Sequence, residues 1–199
     1  MKLRHLVLAA SAAVLSLGLT AAPQIGAPAP DFTVVDSKGS SHSLRDFAGK
    51  TVVLEWTNHD CPFVKKHYQG NMQALQQEMT AQDVVWLSVI SSAPGKQGHV
   101  SPSEADDLTA SRNAAPTAVV FDESGVVGQA YAAKTTPHMY VIDKAGVLQY
   151  MGGIDSIPST KVDDIAKATP LFANAAKAVL AGATPDPAIS KPYGCSVKY

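Results

Sequence analysis

Cysteine and charge are both scarce in this chain. Its 199 residues include only two cysteines, Cys61 and Cys195. Two thiols this far apart exclude a zinc finger, which needs four ligands at short spacings. Charged residues are 17% of the sequence and the formal net charge is −1. This gives no reason to expect the basic face that nucleic acid requires. A phosphate-binding loop and a dinucleotide fingerprint are also missing, so no organic cofactor is expected. There is no internal repeat and no sign of a second domain. Beyond the N-terminus, no segment approaches the ~20 apolar residues of a membrane-spanning helix. At 46% apolar residues, the composition is that of a chain with one folded core.

What is there begins with a secretory pattern. Lys2, Arg4 and His5 make a positive start, and Leu6 to Leu19 is apolar except for Ser11, Ser16 and Gly18. Small residues follow at Thr20, Ala21 and Ala22. That is the order of a signal peptide, and the run is short for a membrane anchor. Residues 1–22 are read as a signal, with a periplasmic or secreted product; an uncleaved anchor is the other reading. Removing Lys2 and Arg4 takes the net charge from −1 to −3. No membrane association is expected after cleavage. In an oxidising compartment, two cysteines are expected to be joined or to cycle.

The remainder alternates between strand-like and helix-like segments. Strands are expected at Phe32–Asp36, Ser40–Ser43, Thr51–Trp56, Val84–Ile90 and Thr117–Phe121. Two more, Met139–Asp143 and Val147–Met151, flank the loop Lys144–Ala145–Gly146 and form a hairpin. Leu44–Phe47 reads as a helical turn. Val64, Tyr68, Met72, Leu75 and Met79 share one face of a helix opened by Pro62. Further helices are expected at Glu104–Ala114, with Ser103 as cap, and at Glu123–Ala133. Two more are expected at Thr160–Ala168 and Pro170–Ala181, the latter capped by Thr169 and ended by Gly182. Trp56 and Trp86 are expected in the core. Such alternation predicts an α/β layer structure in residues 23–182, followed by a Pro-rich tail, 183–199.

Cys61 carries the strongest chemical signal. It follows a buried strand and stands where a helix begins, one residue before Pro62. Free N–H groups and the dipole of a helix start favour thiolate, the nucleophile of disulfide exchange. Lys65 and Lys66, one turn on, are expected to reinforce this, and Asp60 to oppose it. A buried structural cysteine is the bland alternative.

These segments resemble a known family, the thioredoxin-like redoxins that include alkyl hydroperoxide reductases and thiol-specific antioxidants. The lead-in GAPAPDFTVVDSKGSSHSLRDFAGKTVVLEW and the stretch TTPHMYVIDKAGVLQYMGGID are similar to that family's patterns. WTNHDCPFVKKHY and the terminal YGCSVKY look closest to a peroxiredoxin-like subgroup with CPFVK and GCS-x-K-aromatic segments. The resemblance spans roughly residues 24 to 199. It implies a thioredoxin fold, a central mixed sheet flanked by helices, with an N-terminal β-hairpin and a C-terminal tail. It also implies that Pro137 is cis and packs beside Cys61. The chain departs from the pattern in places. Val64 replaces the second cysteine of Cys-x-x-Cys. Asn58 holds the place of the peroxidase Thr or Ser, with Thr57 one residue too far, and Leu54 stands where Pro is expected. Only Arg45 and Arg112 are candidates for a thiolate-supporting arginine.

The expected function is therefore a thiol–disulfide oxidoreductase or peroxidase-like enzyme. Cys61 would attack, and Cys195, freed by Gly194 in a tail without core pattern, would resolve the product. Its partners would be an external thiol or disulfide donor or substrate protein, and peroxide is a further oxidant. No metal site is expected in this reading. His59 and His138 flank Cys61 and Pro137 and are candidate proton carriers, with a plain structural role the favoured alternative for each, while His67 is expected at the surface or its boundary. Tyr193 and Tyr199 are expected to dock the tail. Two rivals remain open: a copper-binding module using Cys61, Cys195 and a histidine, and a redox-silent docking domain.

Overall fold

A computed structural model describes residues 22–199. Apart from Ala22, the expected signal segment lies outside them. The chain forms β1 (Thr33–Asp36), β2 (Ser41–Ser43), a 3-10 turn at Leu44–Phe47, β3 (Val52–Trp56), α1 (Pro62–His67) and α2 (Asn71–Thr80). It continues through β4 (Val85–Ile90), α3 (Pro102–Ser111), β5 (Ala118–Phe121), α4 (Val126–Ala130) and β6 (Thr135–Thr136). The last elements are β7 (His138–Ile142), β8 (Leu148–Gly152), α5 (Leu171–Leu180) and β9 (Cys195–Ser196).

Seven strands make one sheet in the order β2-β1-β5-β4-β3-β7-β8. β3, β4 and β5 run parallel, while β1 and β7 pair antiparallel with their neighbours. β3 lies between β4 and β7, and all its residues are buried. This explains why Thr51–Trp56 reads as an apolar run rather than an alternating one. Side chains still alternate between faces. Val52, Leu54 and Trp56 pack with Phe32, Tyr131 and Tyr140 in one core. Val53 packs with Trp86, with Met72 and Met79 of α2, and with Phe172 of α5 in the other. The class is a mixed-sheet α/β thioredoxin fold.

Local rules account for the departures from expectation. The single helix expected after Pro62 is two helices, α1 and α2, broken at Gly70, whose φ of +115° is not helical. Gln73 bridges the break: its Nε2 donates to the Tyr68 carbonyl and its Oε1 accepts from Gly70 N. Val64, Met72, Leu75 and Met79 are nevertheless all buried. Helix α3 is capped by Ser101, not Ser103. Glu104 reaches back to Ser101 N at 2.7 Å and Pro102 takes the first position, a capping box. Helix α4 is shorter than expected because Asp122 accepts from Val127 and Gly128 N and sets its start. Residues 160–168 form only a 3-10 turn, Val162–Lys167. Thr169 does not cap α5. Its N–H donates to Ser156 Oγ, and the helix begins after Pro170. No helix among the described residues is long and apolar enough to cross a membrane.

Residues 183–199 lie along the domain surface and end in a strand that the sequence pattern does not announce. β9 pairs antiparallel with β6, Thr136 opposite Cys195. Earlier in the tail, Ile189 bridges Met151 in parallel, and Ser190 Oγ accepts from Gly153 N at 2.9 Å. At its end, Val197 N donates to the Lys134 carbonyl and Ala93 N to the Lys198 carbonyl. The Tyr199 hydroxyl donates to the Ala133 carbonyl at 2.8 Å, with its ring laid on Gly125 and Gly128, where a Cβ would collide with it.

Candidate active site

The loop after β3 is organised by Asn58. Its Oδ1 accepts from Asp60 N at 2.9 Å, its Nδ2 donates to the Gln97 carbonyl at 3.1 Å, and its own carbonyl accepts from Cys61 N. Cys61 then caps α1 with extended backbone, Pro62 follows at the first position, and Lys65 N donates to the Cys61 carbonyl at 2.9 Å.

The Cys61 side chain is fully buried. Its thiol donates to the Thr136 carbonyl at 3.1 Å, immediately before Pro137. The Thr136–Pro137 bond is cis. From the tail, Cys195 N donates to Cys61 Sγ at 3.4 Å, and the Cys195 thiol also lies within hydrogen-bonding reach. No disulfide joins the two cysteines in this structure. Sequence neighbourhood and tail thus converge on one sulfur.

Burial opposes ionisation of Cys61. Donation from the Cys195 thiol, the Val64 amide and the Cys195 amide outweighs it, so the thiol lies below its ordinary value of 9.0. Cys195 moves the other way, to about 11, through burial and its bond and proximity to Cys61. The pair is poised with Cys61 as the more acidic member.

The lysines do not play the expected part. Lys65 Nζ pairs with Asp60 at 3.5 Å. Lys66 is buried and turned to Asp155 at 3.4 Å. Hydrogen-bond donors at the helix start and in the tail favour the thiolate in their place. His67, expected at the surface or its boundary, is fully buried, with Nε2 3.1 Å from the Tyr193 hydroxyl. His138 is buried behind Pro137, its Nδ1 3.0 Å from the Tyr140 hydroxyl. Burial and the nearby Lys134 charge push it down to about 3. It is a neutral, packed imidazole rather than a proton carrier at neutral pH. His59 stays half-buried, 3.3 Å from Asp60. Arg45 pairs with Asp31 at the surface. Arg112 donates to the His59 carbonyl at 3.4 Å and stacks over Tyr68. Neither arginine is among Cys61's hydrogen-bond partners. Among the described residues, no three His, Cys, Asp or Glu side chains converge as a metal ion would need. The copper site imagined from Cys61, Cys195 and a histidine is not assembled there.

One buried acid passes unnoticed in the sequence. Glu55 lies within the apolar run of β3 and points to the α2 side. It accepts from Tyr68, Gln76, Trp86 and Ser88 at 2.9 to 3.2 Å. Desolvation raises its pKa despite these four donors. A lone charge inside a continuous apolar strand was the available signal.

A thioredoxin fold with a buried thiol at the start of a helix, beside a cis-proline, defines the class: a thioredoxin-like redoxin. The family model for the AhpC/TSA family matches residues 25–151, and the chain belongs to that family. Membership makes it a thiol oxidoreductase or peroxidase-like enzyme, acting with a thiol or disulfide partner. No curated protein matches the sequence. Among solved structures, a conserved protein from Geobacillus kaustophilus is 23% identical, with TM-score 0.72 over 88% of this chain and 92% of that one. A protein from Sinorhizobium meliloti 1021 is 20% identical, with TM-score 0.71 over 90% and 96%. The thioredoxin domain of a thiol-disulfide oxidoreductase from Bacteroides vulgatus is 19% identical, with TM-score 0.51 over 72% and 96%. At these identities the likeness is one of fold.

Proposed function

We propose that this chain is an exported thiol–disulfide oxidoreductase in which Cys61 attacks, Cys195 resolves and Pro137 shapes the site. In this reading residues 1–22 are its signal, 23–182 its redoxin domain and 183–199 the tail that brings the second thiol. The carrying observation is that the tail brings Cys195 onto Cys61, the Cys195 amide donating to Cys61 Sγ at 3.4 Å. The Cys61 thiolate attacks one sulfur of a substrate disulfide. That S–S bond breaks, one substrate thiolate leaves, and a mixed disulfide remains on Cys61. Cys195 then attacks Cys61 Sγ and expels the second substrate thiolate, joining the two cysteines. Two electrons pass to the substrate, and an external dithiol restores the pair by the reverse exchanges. Cys195 must lose its proton as it attacks, and the first departing thiolate supplies the base. Peroxide is a second oxidant: the thiolate would take one oxygen, release water or an alcohol, and Cys195 would condense with the sulfenic acid, releasing water.

Reduced protein treated with glutathione disulfide, or with hydrogen peroxide, and then weighed intact tests this. The expected product has lost two hydrogens and yields a linked peptide containing Cys61 and Cys195. Cys195→Ser should stop at the mixed disulfide with glutathione disulfide and at the Cys61 sulfenic acid with peroxide. Absence of the linked peptide with both oxidants, together with full turnover by Cys195→Ser, overturns the reading. Export is tested by N-terminal sequencing of mature protein.

A further inference from the structure

Tyr193 stands two residues before Cys195, and its hydroxyl enters a cluster of buried charged and polar groups. It donates to Asp155 Oδ1 at 2.5 Å. Asn71 Nδ2 faces His67 Nδ1 at 2.9 Å, which leaves His67 Nε2–H to donate to the Tyr193 oxygen at 3.1 Å. Lys66 Nζ lies 3.5 Å from the same oxygen and also reaches Asp155 and the Ile157 carbonyl. Lys66, His67 and Asp155 are all buried. Such a set is costly unless its hydrogen bonds are complete, and the tail tyrosine contributes to that completion. The Phe63 ring meets the Tyr193 ring edge-on, with centroids 5.7 Å apart.

Phe63, Lys66 and His67 all belong to α1, the helix that Cys61 begins. One short rigid element therefore carries both the attacking sulfur and the dock for the tyrosine. With Tyr193 seated, a two-residue step along the tail ends at Cys195, on Cys61.

We propose that Tyr193 is a positioning residue, whose hydroxyl, seated in the Asp155–Lys66–His67 cluster, holds Cys195 against Cys61 for the resolving step. This rests on the two-thiol reading above. Cys61 is 0% exposed under the docked tail, so the same contact impedes the first attack. Loosening it must act on the two steps in opposite directions.

The test uses the full mature chain and glutathione disulfide, with acid quench and intact mass at successive times. In Tyr193→Phe, the mixed disulfide should form about threefold faster or more. Its conversion to the Cys61–Cys195 disulfide should slow about tenfold or more, the factor that ~1.4 kcal/mol of lost docking brings. Mixed disulfide would then accumulate where the parent shows little. General destabilisation would not split the steps in this way. If Tyr193→Phe resolves as fast as the parent, or both steps change in the same direction, the positioning role is overturned and the two-thiol reading stands. If the parent never links its cysteines, the two-thiol reading itself fails. Phe63→Leu removes the ring contact without touching the buried charges. It decides the matter should Tyr193→Phe not fold: the same opposed changes support the role, and an unchanged partition overturns it.

Discussion

Gly194 packs its α-carbon against the carbonyl of Thr136, the same oxygen that receives the Cys61 thiol at 3.1 Å. A Cβ at this position would collide with that carbonyl, and φ is +137°, a conformation that side-chain-bearing residues rarely adopt. The glycine lets the tail cross directly over the cis-proline turn. Gly194→Ala is expected to cost the docked tail about 1–3 kcal/mol through strain and overlap. Cys61 should then react with iodoacetamide about tenfold faster or more, since ~1.4 kcal/mol is a factor of ten. An unchanged alkylation rate would mean that the tail does not shield Cys61 through this contact.

Cys61 is expected to titrate below its ordinary 9.0 and Cys195 near 11. Ultraviolet thiolate absorbance against pH reads both. In Cys195→Ala one donor to the Cys61 sulfur is gone, so the remaining midpoint should rise relative to the first midpoint of the parent. A midpoint that stays put or falls would show that the Cys195 thiol does not stabilise the Cys61 thiolate.

Two histidines are held neutral. Burial takes His67 down to about 4, against an ordinary 6.5, with Lys66 adding to the shift and Asp155 opposing it; His138 lies near 3. The unfolded chain takes up these protons near pH 6.5 and the folded protein does not. Their contribution to stability is therefore complete above 6.5 and lost as pH falls through the folded values. For His67 the loss is about 3 kcal/mol. NMR titration of the imidazole resonances should show two that stay neutral at pH 5, and urea unfolding should show stability falling on acidification. A His67 midpoint near 6.5 would contradict the buried cluster.

Glu55 contributes with the opposite sign. Desolvation raises its folded pKa above the ordinary 4.5, and its four donors only partly offset this. The folded state then holds the proton more tightly than the unfolded one. The stability this confers is present below 4.5 and is lost as pH rises through the folded value. Glu55→Gln keeps an acceptor for Trp86, Ser88 and Gln76 and cannot ionise. Relative to the variant, the parent should lose stability as pH rises above 4.5 in urea unfolding; parallel curves would refute this.

Much of the fold was legible because its signals are local. The apolar runs of β3 and β4, the hairpin around Gly146 and the Cys61–Pro62 helix start each declare themselves within a few residues. The family patterns around Cys61 and Pro137 pointed to the same two places in the structure. Where expectation failed, a nearby competitor had won: Gly70 split one helix into two, and Ser101 with Glu104 outbid Ser103. Lys66 and His67 were misread for a different reason. On a helix six residues long, periodicity shows that they share a stretch with Cys61. It does not show that Asp155 and Tyr193, distant in the chain, bury them.

By itself, then, the sequence determined the order along the chain of the seven strands of the main sheet, the helix-start thiol and the availability of a second thiol in the tail. Only the tertiary structure decided that Cys195 lands on Cys61, across 134 residues of chain. β9 has no apolar periodicity to announce it, because its pairing is made by backbone hydrogen bonds to β6 and by single anchors at Ser190, Tyr193 and Tyr199. Those interactions depend on where β6, α1 and α4 stand in space. A pattern of neighbouring residues records which face of an element is buried, but not which distant segment will cover it.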